Sequence, residues 1–128
     1  MDQSILTDEN IDDIIETAQY GGITYWCVEV PAHEREMAFA ANPDAAMVFR
    51  AEDYDDEDST FVVTKEDIRK AYFALLDLGQ KHVNREIHGY FIDSWRDRDE
   101  NGPDMGHIDA DAADCIVQIA AFGEVVYG

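Results

Sequence analysis

The chain has 128 residues, 29 of them Asp or Glu against 9 Lys or Arg, for a formal net charge of −20. That balance excludes a phosphate-binding surface as the principal feature, because a field of this sign repels nucleic acid. At 46% apolar and 11% aromatic residues the composition is that of a globular protein, and the length supports one domain, 1–128, around one core.

No apolar run approaches the roughly 20 residues that span a bilayer, and Met1-Asp2-Gln3-Ser4 lacks the basic start of a signal peptide, so a cytoplasmic location is expected. Cys27 and Cys115 show no C-x-x-C spacing and read as small core residues.

In chain order, the first predicted helix is capped by Thr7, with Asp8 and Glu9 at the positive end of its dipole and Leu6 and Ile11 as a hydrophobic staple. Ile11, Ile14, Ile15 and Ala18 recur at helical spacing, leaving Asp12, Asp13 and Glu16 on the wet face, and Gly21-Gly22 is the expected stop. Ile23 to Val30, rich in β-branched and aromatic residues and ended by Pro31, reads as a central strand buried on both faces. Residues 32–46 are ambiguous, an Ala-rich stretch broken by Asn42-Pro43.

Strands at Met47 to Ala51 and Thr60 to Val63 flank Glu52 to Asp58, which reads as a hairpin with an acidic tip. Thr64 and Asp67 form an Asp version of the capping box for a helix whose buried stripe is Ile68, Ala71, Tyr72, Leu75 and Leu76, stopped at Gly79. A third helix is expected from about Lys81 to Trp95, a polar loop from Asp97 to His107, and a largely apolar, central last helix from about Asp109 to Phe122, closed by Gly123. Glu124 to Tyr127 suggests a terminal strand. The intermixed order predicts an α+β fold, with about four helices packed on a small, mostly antiparallel sheet of three to four strands.

The strongest anomaly is electrostatic. Six of the seven residues Glu52, Asp53, Tyr54, Asp55, Asp56, Glu57 and Asp58 are acidic, and Asp12, Asp13 and Glu16 add a second acidic face. Such density destabilises the compact state by self-repulsion, so a compensating role is expected: presenting carboxylates, in place of phosphates, to the basic groove of a nucleic-acid-binding partner. The bland reading is a solvated loop that serves solubility.

A second candidate is a calcium loop. Asp97, Asp99, Asn101 and Gly102 match the first half of the D-x-[DN]-x-[DN]-G pattern, whose alternate oxygens and sharp turn suit a hard cation. The twelfth position falls on Ile108, so Asp109 or Asp111 would have to close the site. A zinc set would need Cys27, Cys115 and the histidines 33, 82, 88 and 107, none of which has an established ligand spacing. Neither a nucleophile motif nor a nucleotide-binding Gly loop is present. A pocket for a nucleotide signal could draw only on Arg35, Arg50, Lys65 and Arg69. Trp26 and Trp95 read as core or interface aromatics, with Trp95, Arg96 and Arg98 as one spot able to stack on a partner.

The stretches Ile5 to Cys27 and Ile108 to Gly128, with Val62 to Ile68 between them, resemble a group of small acidic proteins of bacteriophages and prophages. The resemblance implies a phage accessory protein in a bacterial cytoplasm and supplies no catalytic or ligand-binding residues. Combined with the acidic hairpin, it leads to the expectation of a non-enzymatic inhibitor of a bacterial defence system, of anti-CRISPR or anti-restriction type. Such an inhibitor would bind a host nucleic-acid-binding complex and need no cofactor. A calcium- or zinc-binding accessory protein is the competing expectation. A homodimer could form by pairing of the terminal strand at Glu124 to Gly128.

Overall fold

The computed structural model of the chain describes residues 2–54 and 59–128. Among these lie five α-helices, α1 (Asp8–Thr17), α2 (Ala32–Ala41), α3 (Lys65–Leu76), α4 (Arg85–Arg96) and α5 (Ala110–Phe122). Three strands, β1 (Cys27–Val28), β2 (Ala45–Ala51) and β3 (Phe61–Thr64), form an antiparallel sheet in the order β1-β2-β3. The α+β class holds, with one helix more than expected. No helix among the described residues is long and apolar enough to cross a membrane.

Local chemistry starts the helices where the side chains direct. Thr7 accepts the Asn10 amide at 3.1 Å while Asn10 Oδ1 accepts the Thr7 amide at 2.9 Å, a reciprocal cap for α1. Thr64 and Asp67 do the same for α3 at 3.0 and 2.9 Å. Each such cap contributes about 1 kcal/mol by satisfying amides that have no partner inside the helix. Asn84 caps α4, so that helix starts at Arg85, four residues past the expected Lys81, and Asp109 caps α5.

Three strand expectations need correction. The segment from Ile23 to Val30 pairs only at Cys27 and Val28, because residues 23–26 turn back on themselves, with the Trp26 and Cys27 amides bonded to the Ile23 carbonyl at 3.2 and 2.9 Å. β1 is therefore an edge, and β2, paired on both sides, is the central strand. The terminal strand does not form: the amides of Val126 and Tyr127 are held at 2.8 and 2.7 Å by the Gln118 side chain. The segment left open is α2 running into β2, with Asn42 turning its side chain onto the Ala38 carbonyl at 2.8 Å where the helix ends.

Gly21-Gly22 does more than stop α1. The helix widens into a π-turn over Ala18–Gly22, and a Cβ on Gly22 would sit 2.6 Å from the Ala110 carbonyl oxygen. A glycine is required there because α5 begins against this turn. The core gathers Ile11, Ile14, Ile68, Tyr72, Leu75 and Ile116 between α1, α3 and α5, while Trp26, Phe49, Phe61, Phe122 and Tyr127 make an aromatic layer over the sheet. Trp26 stacks on Tyr127 at 5.3 Å with planes 4° apart.

Into this apolar layer the chain inserts one carboxylate. Asp114 of α5 is 6% exposed and accepts the Trp26 indole N–H at 2.7 Å, the Tyr25 hydroxyl at 2.6 Å and the Gln118 amide at 2.9 Å. Replacing it by alanine would leave the buried Trp26 indole N–H without its acceptor and remove one of the acceptors of the Gln118 amide, which also donates to the Tyr127 carbonyl at 3.1 Å. Asp114→Ala is expected to lower the unfolding free energy by about 3 kcal/mol, read as a reduced urea midpoint, with Asp114→Asn losing less.

Candidate functional site

The loop from Asp97 to His107 is folded by its own carboxylates. Asp99 and Gly102 exchange two backbone hydrogen bonds of 3.1 Å, Asp99 Oδ1 accepts the Asn101 amide at 2.8 Å, and Asp104 Oδ1 accepts the Gly106 amide at 2.9 Å. Gly102 has φ of +102° and packs so closely that a Cβ would meet the Asn10 side chain and the Ile5 carbonyl. This close approach presses the loop onto the start of α1.

The consequence is an open groove of about 580 Å³ between α1 and the loop, lined by Glu9 and Asp13 from one side and Asp97, Asp99 and Asp104 from the other. Five carboxylates from segments some 85 residues apart in sequence thus face one space. Glu16 continues this side of α1, sharing with Asp13 a smaller depression against Met105, Gly106 and Ile108. Asp12 points elsewhere, to Lys65 Nζ at 3.4 Å, so the acidic face of α1 divides between α3 and the groove.

At one end of the groove His107 Nε2 lies 2.7 Å from Asp97 Oδ2 and 3.8 Å from Asp104 Oδ2. Arg96 Nε approaches the other Asp97 oxygen at 3.3 Å. The Arg96 hydrogen bond first, and then that of His107, hold the Asp97 carboxyl below the usual carboxylate range. Among the described residues, Asp97, Asp104 and His107 are the one set of three His, Cys, Asp or Glu whose ligand atoms all lie within 4.8 Å of one another. No set with the two cysteines and the other histidines exists there.

Of the calcium candidates, Asp97, Asp99 and Asn101 line the groove, but Asp109 does not: its carboxylate accepts the Ala112 amide at 2.8 Å as the cap of α5. Ile108, at the twelfth position, is buried. Of the hairpin candidates, Glu52 and Asp53 are exposed in a turn where the Glu52 amide donates to the Trp26 carbonyl at 2.7 Å, and Asp55, Asp56, Glu57 and Asp58 lie outside the described residues.

The basic residues do not converge. Arg50 is buried and bonded to Glu34 and Thr60, Arg69 bridges Asp8, Glu66 and the Leu6 carbonyl, Lys65 holds Asp12, and Arg35 lies over Phe39. Trp95 is covered by Phe73 and by Arg98, whose guanidinium sits 4.4 Å from the ring centre. Sequence reasoning missed Asp104 and His107 as partners of Asp97; their i, i+3 spacing in the turn Met105–His107 was the available signal.

The chain matches no known protein-family model, no curated protein and no solved structure.

Both thiols are free and half-buried. Burial pushes both Cys27 and Cys115 up to about 11, with Glu29 adding to the first and Asp114, Asp111 and Asp109 to the second. An unfolded thiol ionises near about 8.5, so this contribution to stability is complete below that pH and is lost as pH rises through about 11. The urea midpoint is expected to fall between about pH 8.5 and 11, and to fall less steeply in the double variant Cys27→Ala, Cys115→Ala.

Proposed function

We propose that the protein is a non-enzymatic inhibitor that binds a basic, nucleic-acid-handling defence complex of a bacterial host, as an anti-CRISPR or anti-restriction protein does, with carboxylates standing in for phosphates. The observation that carries this reading is the convergence of Glu9, Asp13, Asp97, Asp99 and Asp104 on one groove. Fixed carboxylates at the rim of a folded loop present charge without the ordering entropy of a flexible tail. On this reading the partner also meets the acids of the 52–58 segment, Glu52, Asp53, Asp55, Asp56, Glu57 and Asp58, and those of α1, where Glu16 continues the groove side and Asp12 faces Lys65.

Two sets of substitutions separate the contributions. Neutralising Asp13, Glu16 and Asp99 with Asn and Gln, or separately the 52–58 acids, relieves self-repulsion, so melting temperature is expected to hold or rise while capture of the host complex from a lysate falls tenfold or more. Binding by the unaltered protein is expected to weaken steeply between roughly 50 and 500 mM salt. Capture unchanged by both sets, or indifferent to salt, overturns the reading.

A second reading rests on the Asp97, Asp104 and His107 set, which offers two carboxylate oxygens and one imidazole to a divalent cation. Arg96 competes for Asp97. A metal bound only to the folded state raises the melting temperature with the logarithm of its concentration once that exceeds the dissociation constant. On the inhibitor reading, added zinc or calcium and added chelator are expected to leave the melting curve unmoved; a metal-dependent rise abolished by His107→Ala would favour the metal reading.

A further inference from the structure

Of the five α-helices among the described residues, α2 has the weakest hold on the fold. Thr7, Thr64, Asn84 and Asp109 cap the other four through side-chain oxygens, whereas α2 starts at Pro31 with no described side chain accepting from its first amides. None of its ten residues is buried, and none belongs to the apolar cluster that the other helices and the sheet build together. Its inner side offers Glu34, Ala38 and Phe39, each half-buried, and the Glu34 carboxylate pairs with the buried Arg50 of β2. Arg35 of the same helix lies over the Phe39 ring, 5.5 Å from its centre. Pro31 and Pro43 bound the helix, and neither has an amide with which to continue a hydrogen-bonded run. A helix this short, without a cap or a buried stripe, does not stand on its own in water.

We infer that α2 is a lid, which lifts from the sheet as a unit about Pro31 and Pro43 while the core stays folded, with the ion pair of Glu34 and Arg50 as its latch. Beside it lies a groove of about 450 Å³ that Ala32 and Arg35 wall on the α2 side. The groove is lined by Val30 and Val48, buried residues that stand outside the main cluster, together with Ile23, Met47 and Phe49. Lifting α2 gives up the latch and the order of a marginal helix, and leaves the packing of α1, α3 and α5 in place. Local opening of such an element is cheaper than global unfolding. Arg50 keeps Thr60 when the latch is released, its Nε donating to Oγ1 at 3.2 Å, so the guanidinium stays anchored to the sheet. Cys27 of β1 lines the same groove, half-buried, so the position of the lid governs how readily a solute reaches that thiol. The inference concerns the sheet side of the molecule and is independent of the acidic-groove reading.

Amide hydrogen exchange on the full chain tests this. Relative to their unstructured rates, the helical amides from Arg35 to Asn42 are expected to exchange at least about tenfold faster than those of α3 and α5. Glu34→Gln is expected to raise α2 exchange about tenfold further, and Ala40→Gly, at an exposed position, about fivefold, with α3 and α5 unchanged in both. In a Cys115→Ala background, alkylation of Cys27 by N-ethylmaleimide is expected to quicken with the same two substitutions. Exchange of α2 in step with α3 and α5, α2 rates unmoved by Glu34→Gln, acceleration spread over the whole chain by both variants, or an unaltered Cys27 rate would each overturn the inference.

Discussion

The buried carboxylate of Asp114 joins three parts of the chain that have little else in common. Trp26 comes from the turn before the edge strand, Gln118 from the next turn of α5, and through Gln118 the amides of Val126 and Tyr127 are tied down from the C-terminal segment. A charge in an apolar layer is tolerated when its lone pairs are filled, and here an indole, a phenol and an amide fill them. The same bonds dictate geometry. The Trp26 ring is fixed so that Tyr127 can stack on it, which folds the chain end over the core. The hydrogen bond to Asp114 also strengthens the effect of burial on the Tyr25 hydroxyl, whose ionisation is pushed upward.

A second constraint is the shortage of cations. Nine positive side chains cannot neutralise 29 carboxylates, so their placement decides which acids are quiet. Arg69 is spent inside the fold, linking Asp8, Glu66 and the Leu6 carbonyl between α1 and α3, and Lys65 takes Asp12. Arg50 is buried against Glu34, which is what attaches α2, a helix with no buried residue of its own. A ten-residue helix is marginal in isolation, so this ion pair matters more to α2 than a surface pair would. In the groove between α1 and the 97–107 loop, Arg96 and His107 meet Asp97, while Glu9, Asp13 and Asp99 have no ion pair to another described residue.

The sequence made the helices legible because their ends carry local chemistry: Thr7, Thr64 and Asp109 name their own starts, and Gly123 ends α5. The sheet was less legible. Ile23 to Val30 has the composition of a strand, but four of those residues serve a turn, a choice enforced by tertiary bonds to Asp114 that no local pattern encodes. The Val-Val-Tyr run near the C-terminus likewise looks like a strand and is instead captured by one side chain, Gln118, from α5. At the site, the acids of α1 and of the loop were each visible, but their meeting was not. It depends on Gly102 lying against Asn10, a contact between segments about 90 residues apart.

Charge and the sheet edge bear on one another. An unpaired strand edge is ordinarily a template for self-association, and proteins guard it with a bulge, a covering element or repulsive charge. β2 carries an irregularity between Ala45 and Met47, α2 residues line the groove beside it, and Met47, Val48 and Phe49 are buried. What remains to keep two copies apart is the field of each, with a net −20 on either side of any approach. That repulsion is blind to geometry and acts only against like charge. The acidity that would otherwise be a burden on folding therefore opposes the approach of a second copy.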